Sequence, residues 1–193
     1  PFYGSIDATP TFVSAVARYI ETQDDSSFLE QTYRGKDGEE HTMADALDRS
    51  VGWVLRRLDE NPEGLLEFYN PDQSGKGMAS QTWKDSPYAY MHADGSRANH
   101  QAGIASVEVQ AYAYDALYDA ADLYETTDPT CSSHLRARAE ELRQKIFDTF
   151  WIEHPEKGGF FALATDRDEN RQLRTLNVRT SNMGRLLNTR LLE

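Results

Sequence analysis

One acidic residue near the middle of the chain stands among aromatic residues: Asp85 has Trp83, Tyr88 and Tyr90 close by in sequence. Aromatic faces stack on sugar rings, and a carboxyl group beside apolar rings has the raised pKa that a general acid needs near neutral pH. Two observations oppose this hypothesis. The cation of Lys84 would lower the pKa of a nearby carboxyl group, and Asp-Ser-Pro is an ordinary turn sequence. The stretch therefore indicates either an acid in a sugar site or a simple loop.

Further carboxylates lie on a predicted helix that follows. Glu108 and Asp115 are seven residues apart, nearly two helical turns, so they share a face. Glu108 and Asp115 are compatible with two interpretations, groups at the mouth of a central cavity or part of the polar edge of the helix. We interpret Asp119 and Asp122 as polar edge. Asp7, ahead of the first helix, is either a helix cap or a pocket residue.

Other chemical motifs are excluded by their spacing. The single Cys131, in a predicted turn, rules out an intrachain disulfide and a cysteine-cluster metal site, and it favours a reducing, cytoplasmic location. The histidines have no metal-ligand spacing. The segment 166–177 begins like a calcium loop, but Arg171 stands where glycine is required. We therefore predict neither a metal nor a cofactor.

Helical periodicity identifies the elements that position these residues. Segments 42–60 and 132–151 each carry one apolar stripe and polar residues elsewhere, which is typical of amphipathic surface helices. Segments 10–21 and 104–125 are apolar around most of their circumference, which predicts buried helices. The predicted caps are Thr42 with Asp45 for the second helix and Ser132 or Ser133 for the fourth, and a fifth helix begins near Thr180 with cap candidates Ser181 and Asn182.

Two long loops separate the helix pairs, and both resemble β-hairpins. In residues 64–100, the segments 65–69 and 81–83 flank a turn, and in residues 158–178 the segments 159–163 and 173–178 flank another. Buried and surface helices thus alternate with a period of about 75 to 95 residues, as in a helical toroid or solenoid.

Charge and length limit the possible partners. The 193-residue chain has 20 Lys plus Arg against 32 Asp plus Glu, a formal net charge of −12. This balance argues against binding to nucleic acid or to an anionic membrane surface. No apolar run approaches the roughly 18 residues of a membrane span. The chain opens on Pro1 and ends on Leu-Leu-Glu without a stop signal, so we expect a fragment.

Four segments in order resemble the glycogen-debranching, amylo-alpha-1,6-glucosidase-like glycoside hydrolases, members of the six-hairpin glycosidases. Residues 2–13 (FYGSIDATPTFV) are similar to YYGSVDATPLFV of that family, and residues 81–86 (QTWKDS) to its NQGWKDS motif. Residues 108–116 (EVQAYAYDA) resemble EVQGYVYDA, and residues 180–187 (TSNMGRLL) resemble TSNPGHLLW. Together these motifs extend over almost the whole chain.

The resemblance implies an all-α fold, a partial (α/α)6 toroid of helical hairpins with short β-hairpin loop insertions. It also implies an inverting acid–base mechanism that cleaves α-glucosidic bonds, with two carboxyl groups about 6.5–9.5 Å apart. By motif position Asp85 is the general acid, and the expected substrate is an oligosaccharide or glucan. The residues expected to bind the sugar are Tyr3, Asp7, Trp83, Lys84 and Glu108.

By the same resemblance, residues 1–193 form about two and a half of the six hairpins of one catalytic domain. The segment that supplies the catalytic base in the family has no counterpart here. We therefore expect the rest of the domain, or a second copy of the chain, to cover apolar surface left exposed. Departures from the family motifs are Ser80, Thr82, Met183 and Arg185, which replace the more usual Asn, Gly, Pro and His.

Other functions remain open on a helical toroid. A sugar epimerase would use paired histidines, for which His92 and His100 are the candidates. A disaccharide phosphorylase would need a phosphate site, and no basic cluster lies near Asp85 in sequence. The non-enzymatic alternative is a carbohydrate-binding or interaction module that lacks a complete acid–base pair.

Overall fold

In a computed structural model, the chain is described over residues 5–70, 78–84, 86–156 and 158–193. Its α-helices in these ranges are α1 (Ala8–Gln23), α2 (Met43–Glu60), α3 (Val107–Tyr124) and α4 (Pro129–Phe150). Its strands are β1 (Thr32–Arg34), β2 (Glu40–Thr42), β3 (Ala105–Ser106), β4 (Trp151–Ile152), β5 (Phe160–Phe161), β6 (Ala164–Arg167) and β7 (Leu173–Leu176). Short 3-10 helices cover Ser26–Glu30, Ser181–Asn188 and Arg190–Leu192. No helix in the described ranges is long and apolar enough to cross a membrane.

Helix α3 lies at the centre of the fold and packs most extensively against α4 and α1. Most of its side chains are buried, and alanines such as Ala111, Ala113 and Ala120 let the neighbouring helices approach closely. The prediction of a buried third helix is confirmed. The same prediction is wrong for α1, because α1 packs on α3 and α2 with one side only. Its other side leaves Ala15 exposed and Tyr19 47% exposed.

The amphipathic predictions for α2 and α4 are confirmed, since every residue of both apolar stripes is buried. Helix α2 begins with the predicted capping box: the Asp45 N–H donates to Thr42 Oγ1 at 3.0 Å, and the Thr42 N–H donates to Asp45 Oδ2 at 2.9 Å. Each bond satisfies an N–H that has no partner within the first turn. The buried stripe residues are Leu47, Val51, Val54 and Leu58 in α2 and Leu135, Ala139, Leu142, Ile146 and Phe150 in α4.

The start of α4 differs from the prediction. The helix begins at Pro129, and the side chain of Asp128 caps it by accepting the Cys131 N–H at 2.9 Å. The caps predicted at Ser132 and Ser133 are therefore wrong, and Cys131 lies in the first turn of the helix. An aspartate followed by proline at the first helical position is a start signal in its own right, because proline needs no hydrogen-bond partner there.

The strands form small antiparallel sheets at the ends of the helices. Strands β6 and β7 form a hairpin with Ala164 opposite Leu176, and β3 pairs with the other edge of β6. For the second predicted hairpin, the turn and the second strand are confirmed, but the first strand is wrong: β6 takes that place, and Phe160–Phe161 pairs with β4 instead. The hairpin β1–β2 was not predicted.

The first predicted hairpin is wrong within the described residues. Phe68 pairs with Ile104 through two backbone hydrogen bonds, of 3.0 and 2.7 Å, and not with the segment 81–83. The turn residues 71–77 lie outside the described residues. A partner 36 positions along the chain cannot be inferred from local turn signals.

Buried Asp166 connects the loop before α3 to the sheet. Its Oδ2 accepts bonds from Arg174 Nη2 at 2.6 Å and from the Asn99 N–H at 2.8 Å, and His92 Nε2 lies 3.1 Å away. Burial acts to raise the pKa of Asp166, but the hydrogen bonds from Arg174, Asn99 and His92 outweigh it and hold that pKa below its usual value.

The C-terminal segment is helical, but in 3-10 geometry rather than as the predicted α-helix. Leu186 and Leu191 are buried beside α3, whereas Leu187 is 76% exposed. The predicted caps are wrong, because Thr180 precedes the segment without a side-chain cap and Asn182 is buried. The helix-dominated fold agrees with the sequence analysis, with more strands than expected, and closure into a toroid stays a prediction.

Candidate active site

A pocket of about 770 Å³ opens between the start of α1, the middle of α3, the segment around Trp83 and the C-terminal 3-10 helices. Its wall combines aromatic surface with a few charged groups, the usual composition of a small-molecule site. The lining residues that matter here are Asp7, Phe12, Trp83, Tyr112, Asp115 and Arg185.

Asp7 joins the N-terminal segment to the segment that carries Trp83. It occupies the N-cap position of α1, but its side chain makes no cap bond. Its Oδ2 instead accepts the Trp83 N–H at 2.8 Å, and its Oδ1 accepts the hydroxyl of Ser5. A backbone bond of 2.8 Å from the Ile6 N–H to Gln81 O runs alongside. Asp7 is therefore a pocket residue that holds Trp83, not a cap.

Trp83 presents an aromatic face at the pocket. It is 45% exposed, and the guanidinium carbon of Arg185 lies 4.6 Å from the centre of its ring. The half-buried Tyr112 lines the pocket from α3. A partly exposed tryptophan that is held by its backbone, with a cation over its ring, is a suitable platform for a ring with an apolar face and polar edges.

Lys84 and Glu108 are linked through Asn182. The amine of Lys84 donates to Asn182 Oδ1, and Asn182 Nδ2 donates to Glu108 Oε1 at 2.7 Å. Glu108 is fully buried, so it lies behind the pocket wall rather than at the mouth of a cavity. Burial lowers the pKa of Lys84, and the nearby carboxylate of Glu108 opposes that shift.

Two tyrosines near Trp83 in sequence take no part in the pocket wall. Tyr90 is fully buried, with its hydroxyl 3.0 Å from Thr82 Oγ1, and burial raises its pKa. Tyr88 is 62% exposed and lies against Arg97, whose guanidinium carbon is 4.2 Å from the ring centre. Of the three aromatic residues around Asp85, only Trp83 faces the pocket.

Asp115 places a second carboxylate in the pocket. Its Oδ1 accepts the Arg190 N–H at 2.9 Å, and Arg18 Nη2 lies 3.8 Å from its Oδ2. Burial raises the pKa of Asp115 to about 6, and neighbouring Asp119 adds to the rise. Asp119 is itself buried and pairs with Arg190 at 3.2 Å, so its prediction as part of a polar edge is wrong. Asp122, 41% exposed, fits that prediction.

The structure brings together some of the predicted site residues. Asp7 and Trp83 line the pocket, and Lys84 follows directly. Asp85 and Tyr3 lie outside the described residues. Neither His92 nor His100, the histidines considered for an epimerase, lines this pocket. Over the described part of the chain, no group of three or more His, Cys, Asp or Glu side chains is placed to hold a metal ion.

Four residues of the site could not be assigned to it from the sequence: Phe12, Tyr112, Asn182 and Arg185. Tyr112 follows Glu108 by four positions and precedes Asp115 by three, so helical spacing already places it on their face. Asn182 gave a misleading signal because asparagine is also a common helix cap. Arg185 departs from the family motif, and nothing in its neighbourhood in the sequence indicates the contact with Trp83.

We expect Asp115 to impose a pH dependence on stability. A carboxyl group with a raised pKa binds its proton more tightly in the folded chain, so the contribution of Asp115 to the free energy of unfolding falls as the pH rises from about 4 to about 6. Asp115→Asn should flatten this decline, measured by urea unfolding at successive pH values. Asp148→Asn, at an exposed position of α4, is the control and keeps the decline. An unchanged decline in Asp115→Asn would contradict the role given to Asp115.

The comparisons with known proteins agree with the motifs found along the chain. The family model for amylo-alpha-1,6-glucosidase matches residues 1–183, which include Asp7, Trp83, Glu108 and Asn182. Among curated proteins, no sequence matches the chain significantly. The match extends over nearly all of the helices, the sheets and the pocket, so the chain belongs to the amylo-alpha-1,6-glucosidase family.

Proposed function

We propose that the chain supplies the general-acid half of a glycoside hydrolase site that cleaves α-glucosidic bonds with inversion. The family points to a glycosidase of the glycogen-debranching kind. The observation that supports the proposal most directly is the 45% exposure of Trp83 at the pocket, where the bond from its N–H to Asp7 holds it.

In this proposal, Trp83 stacks on a glucosyl ring and Asp7 keeps Trp83 in place. Lys84 adds a hydrogen-bond donor beside Trp83. Glu108, buried behind the pocket wall, acts on the amine of Lys84. Asp85, directly after Lys84 in the sequence, donates the proton to the glycosidic oxygen. Tyr3 contributes to the same subsite. An α-linked glucan suits this wall, because its sugar rings have apolar faces and neutral hydroxyl groups.

An inverting mechanism also needs a carboxylate that activates water on the opposite side of the sugar. The carboxylate of Asp115 is engaged by the Arg190 N–H and lies near Arg18, so we do not assign the base to it. We propose that the base comes from the remainder of the catalytic domain, which would also cover the outward side of α1. A second copy of the chain is the alternative cover for that side.

A carbohydrate-binding role without catalysis is the second candidate. The pocket wall is assembled from described residues of this chain, whereas a complete acid–base pair is not. Binding and hydrolysis must therefore be tested separately.

For binding, we expect Trp83→Ala to weaken the affinity for maltooligosaccharides about tenfold. Loss of an aromatic stacking partner costs on the order of 1 kcal/mol beyond the lost area, and 1.4 kcal/mol corresponds to a factor of ten. Isothermal titration calorimetry with maltotriose measures the effect. Tyr88→Ala removes an exposed aromatic ring outside the pocket and serves as the control. Equal affinities of Trp83→Ala and the unaltered chain would remove Trp83 from the site.

For hydrolysis, we expect the purified 193-residue chain to release no glucose from maltooligosaccharides or a limit dextrin, because our proposal places the base outside these residues. In the complete catalytic domain, Asp85→Asn should lower kcat by about 10²- to 10⁴-fold, the usual contribution of a general acid. Glucose release in a coupled assay measures both. Clear release by the chain alone would contradict the division into two halves, and unchanged kcat in Asp85→Asn would remove Asp85 from the mechanism.

A further inference from the structure

We propose that Asn182 is a positioning residue of the site: its carboxamide couples the buried carboxylate of Glu108 to the amine of Lys84 and so fixes the Trp83–Lys84 segment at the pocket wall. The inference rests on the function proposed above, because it explains how the proposed sugar-binding edge is held. Asn182 is a member neither of the pocket wall nor of the residues expected to touch the sugar.

The two ends of the Asn182 side chain contact groups of opposite charge, a carboxylate and an ammonium group. Its Nδ2 donates to Glu108 Oε1 at 2.7 Å, and its Oδ1 accepts from the amine of Lys84. The hydroxyl of Thr180 also donates to Oδ1, at 3.2 Å. Only one orientation of the amide places its donor on a carboxylate and its acceptor on an ammonium group. An aspartate at this position would set two carboxylates side by side.

Burial makes this coupling energetically important. Glu108 is fully buried and Asn182 is 3% exposed. A buried carboxylate is costly unless it is hydrogen-bonded and paired with a cation. Glu108 Oε2 has no hydrogen-bond partner among the described residues, so the bond from Asn182 to Oε1 carries the compensation that hydrogen bonding provides. No salt bridge joins Lys84 directly to Glu108 within the described ranges, so the hydrogen-bonded contact between the two groups runs through the amide of Asn182.

The geometry of the C-terminal segment directs two contacts to one dipeptide. Asn182 and Arg185 lie three residues apart in the 3-10 helix Ser181–Asn188, and residues three apart in such a helix share a face. Asn182 binds the amine of Lys84, and the Arg185 guanidinium carbon lies 4.6 Å from the Trp83 ring centre. An α-helix would separate these two side chains by about 60°. The 3-10 geometry therefore allows Asn182 and Arg185 to contact Lys84 and Trp83 from the same face of the segment.

Lys84 is further confined by aromatic rings. Its Nζ lies 5.4 Å from the ring centre of Trp83 and 5.2 Å from that of Tyr90. Because Tyr90 is fully buried, its ring is held in place beneath the amine of Lys84. With Asn182 on one side and two rings on the others, the amine has one favoured position, and the backbone around it is held with it.

The titration of the Lys84 amine tests the coupling without relying on activity. The chain has five lysines, so NMR of ¹³Cε-labelled lysine gives few signals, and Lys84→Arg identifies the one to follow. In Asn182→Ala the pKa of Lys84 should fall, because a hydrogen bond that favours the ammonium form is lost. The affinity for maltotriose should fall about tenfold or more, since a hydrogen bond to a charged group is removed. Asn177→Ala, at an exposed asparagine outside the pocket, should change neither quantity.

Each combination of results decides the proposal. A lower Lys84 pKa together with weaker binding supports it. Weaker binding with an unchanged pKa, or a lower pKa with unchanged binding, overturns it. If the unaltered chain binds no maltotriose, the proposed function fails, whereas the amine titration still decides the coupling. Should Asn182→Ala not fold by circular dichroism, Asn182→Leu keeps the approximate size of the side chain without its hydrogen bonds and is judged by the same two measurements. A fall in both the Lys84 pKa and the affinity supports the proposal, and an unchanged value of either overturns it.

Discussion

The buried position of α3 is the constraint on which the rest of the structure depends. This helix takes Glu108, Asp115 and Asp119 out of water, and a carboxylate without solvent needs donors or cations supplied by the protein. Few such groups lie on α3 itself. They come mainly from the C-terminal segment, where Asn182 binds Glu108 and Arg190 binds the two aspartates. The charge on one helix thereby fixes the path of a segment about 70 residues later.

The same requirement places the pocket. The C-terminal segment, once fixed against α3, brings Arg185 over Trp83, and the N-terminal Asp7 holds the backbone of Trp83 from the other side. The wall is thus formed by segments distant in sequence. It is held by hydrogen bonds to charged groups, which are stronger than those between neutral groups. A site of this kind depends on the whole fold. We therefore expect a substitution such as Asn182→Ala to change the pocket, although Asn182 does not line it.

The sequence predicts the elements better than the contacts between them. The apolar stripes of α2 and α4 and the box of Thr42 and Asp45 are local signals, and all were confirmed. The exposed side of α1 could not be predicted, because the apolar composition of a helix does not show on how many sides other elements pack against it. The pairing of Phe68 with Ile104 and the link from Asn182 to Glu108 join residues far apart in the chain, for which no local pattern exists. Asp7 and Trp83 were candidates from the residues alone and were assigned to the sugar site through the family motifs, whereas Arg185 departs from those motifs and was not assigned.

The most direct test of the central claim uses the three tryptophans of the chain, Trp53, Trp83 and Trp151. Each indole N–H gives one signal in a ¹⁵N–¹H spectrum, and only Trp83 lies at the pocket. Titration with maltotriose should shift the Trp83 signal in a saturable manner and leave the signals of Trp53 and Trp151 in place. A saturable shift of Trp53 or Trp151 with an unmoved Trp83 signal would contradict a sugar site at this pocket.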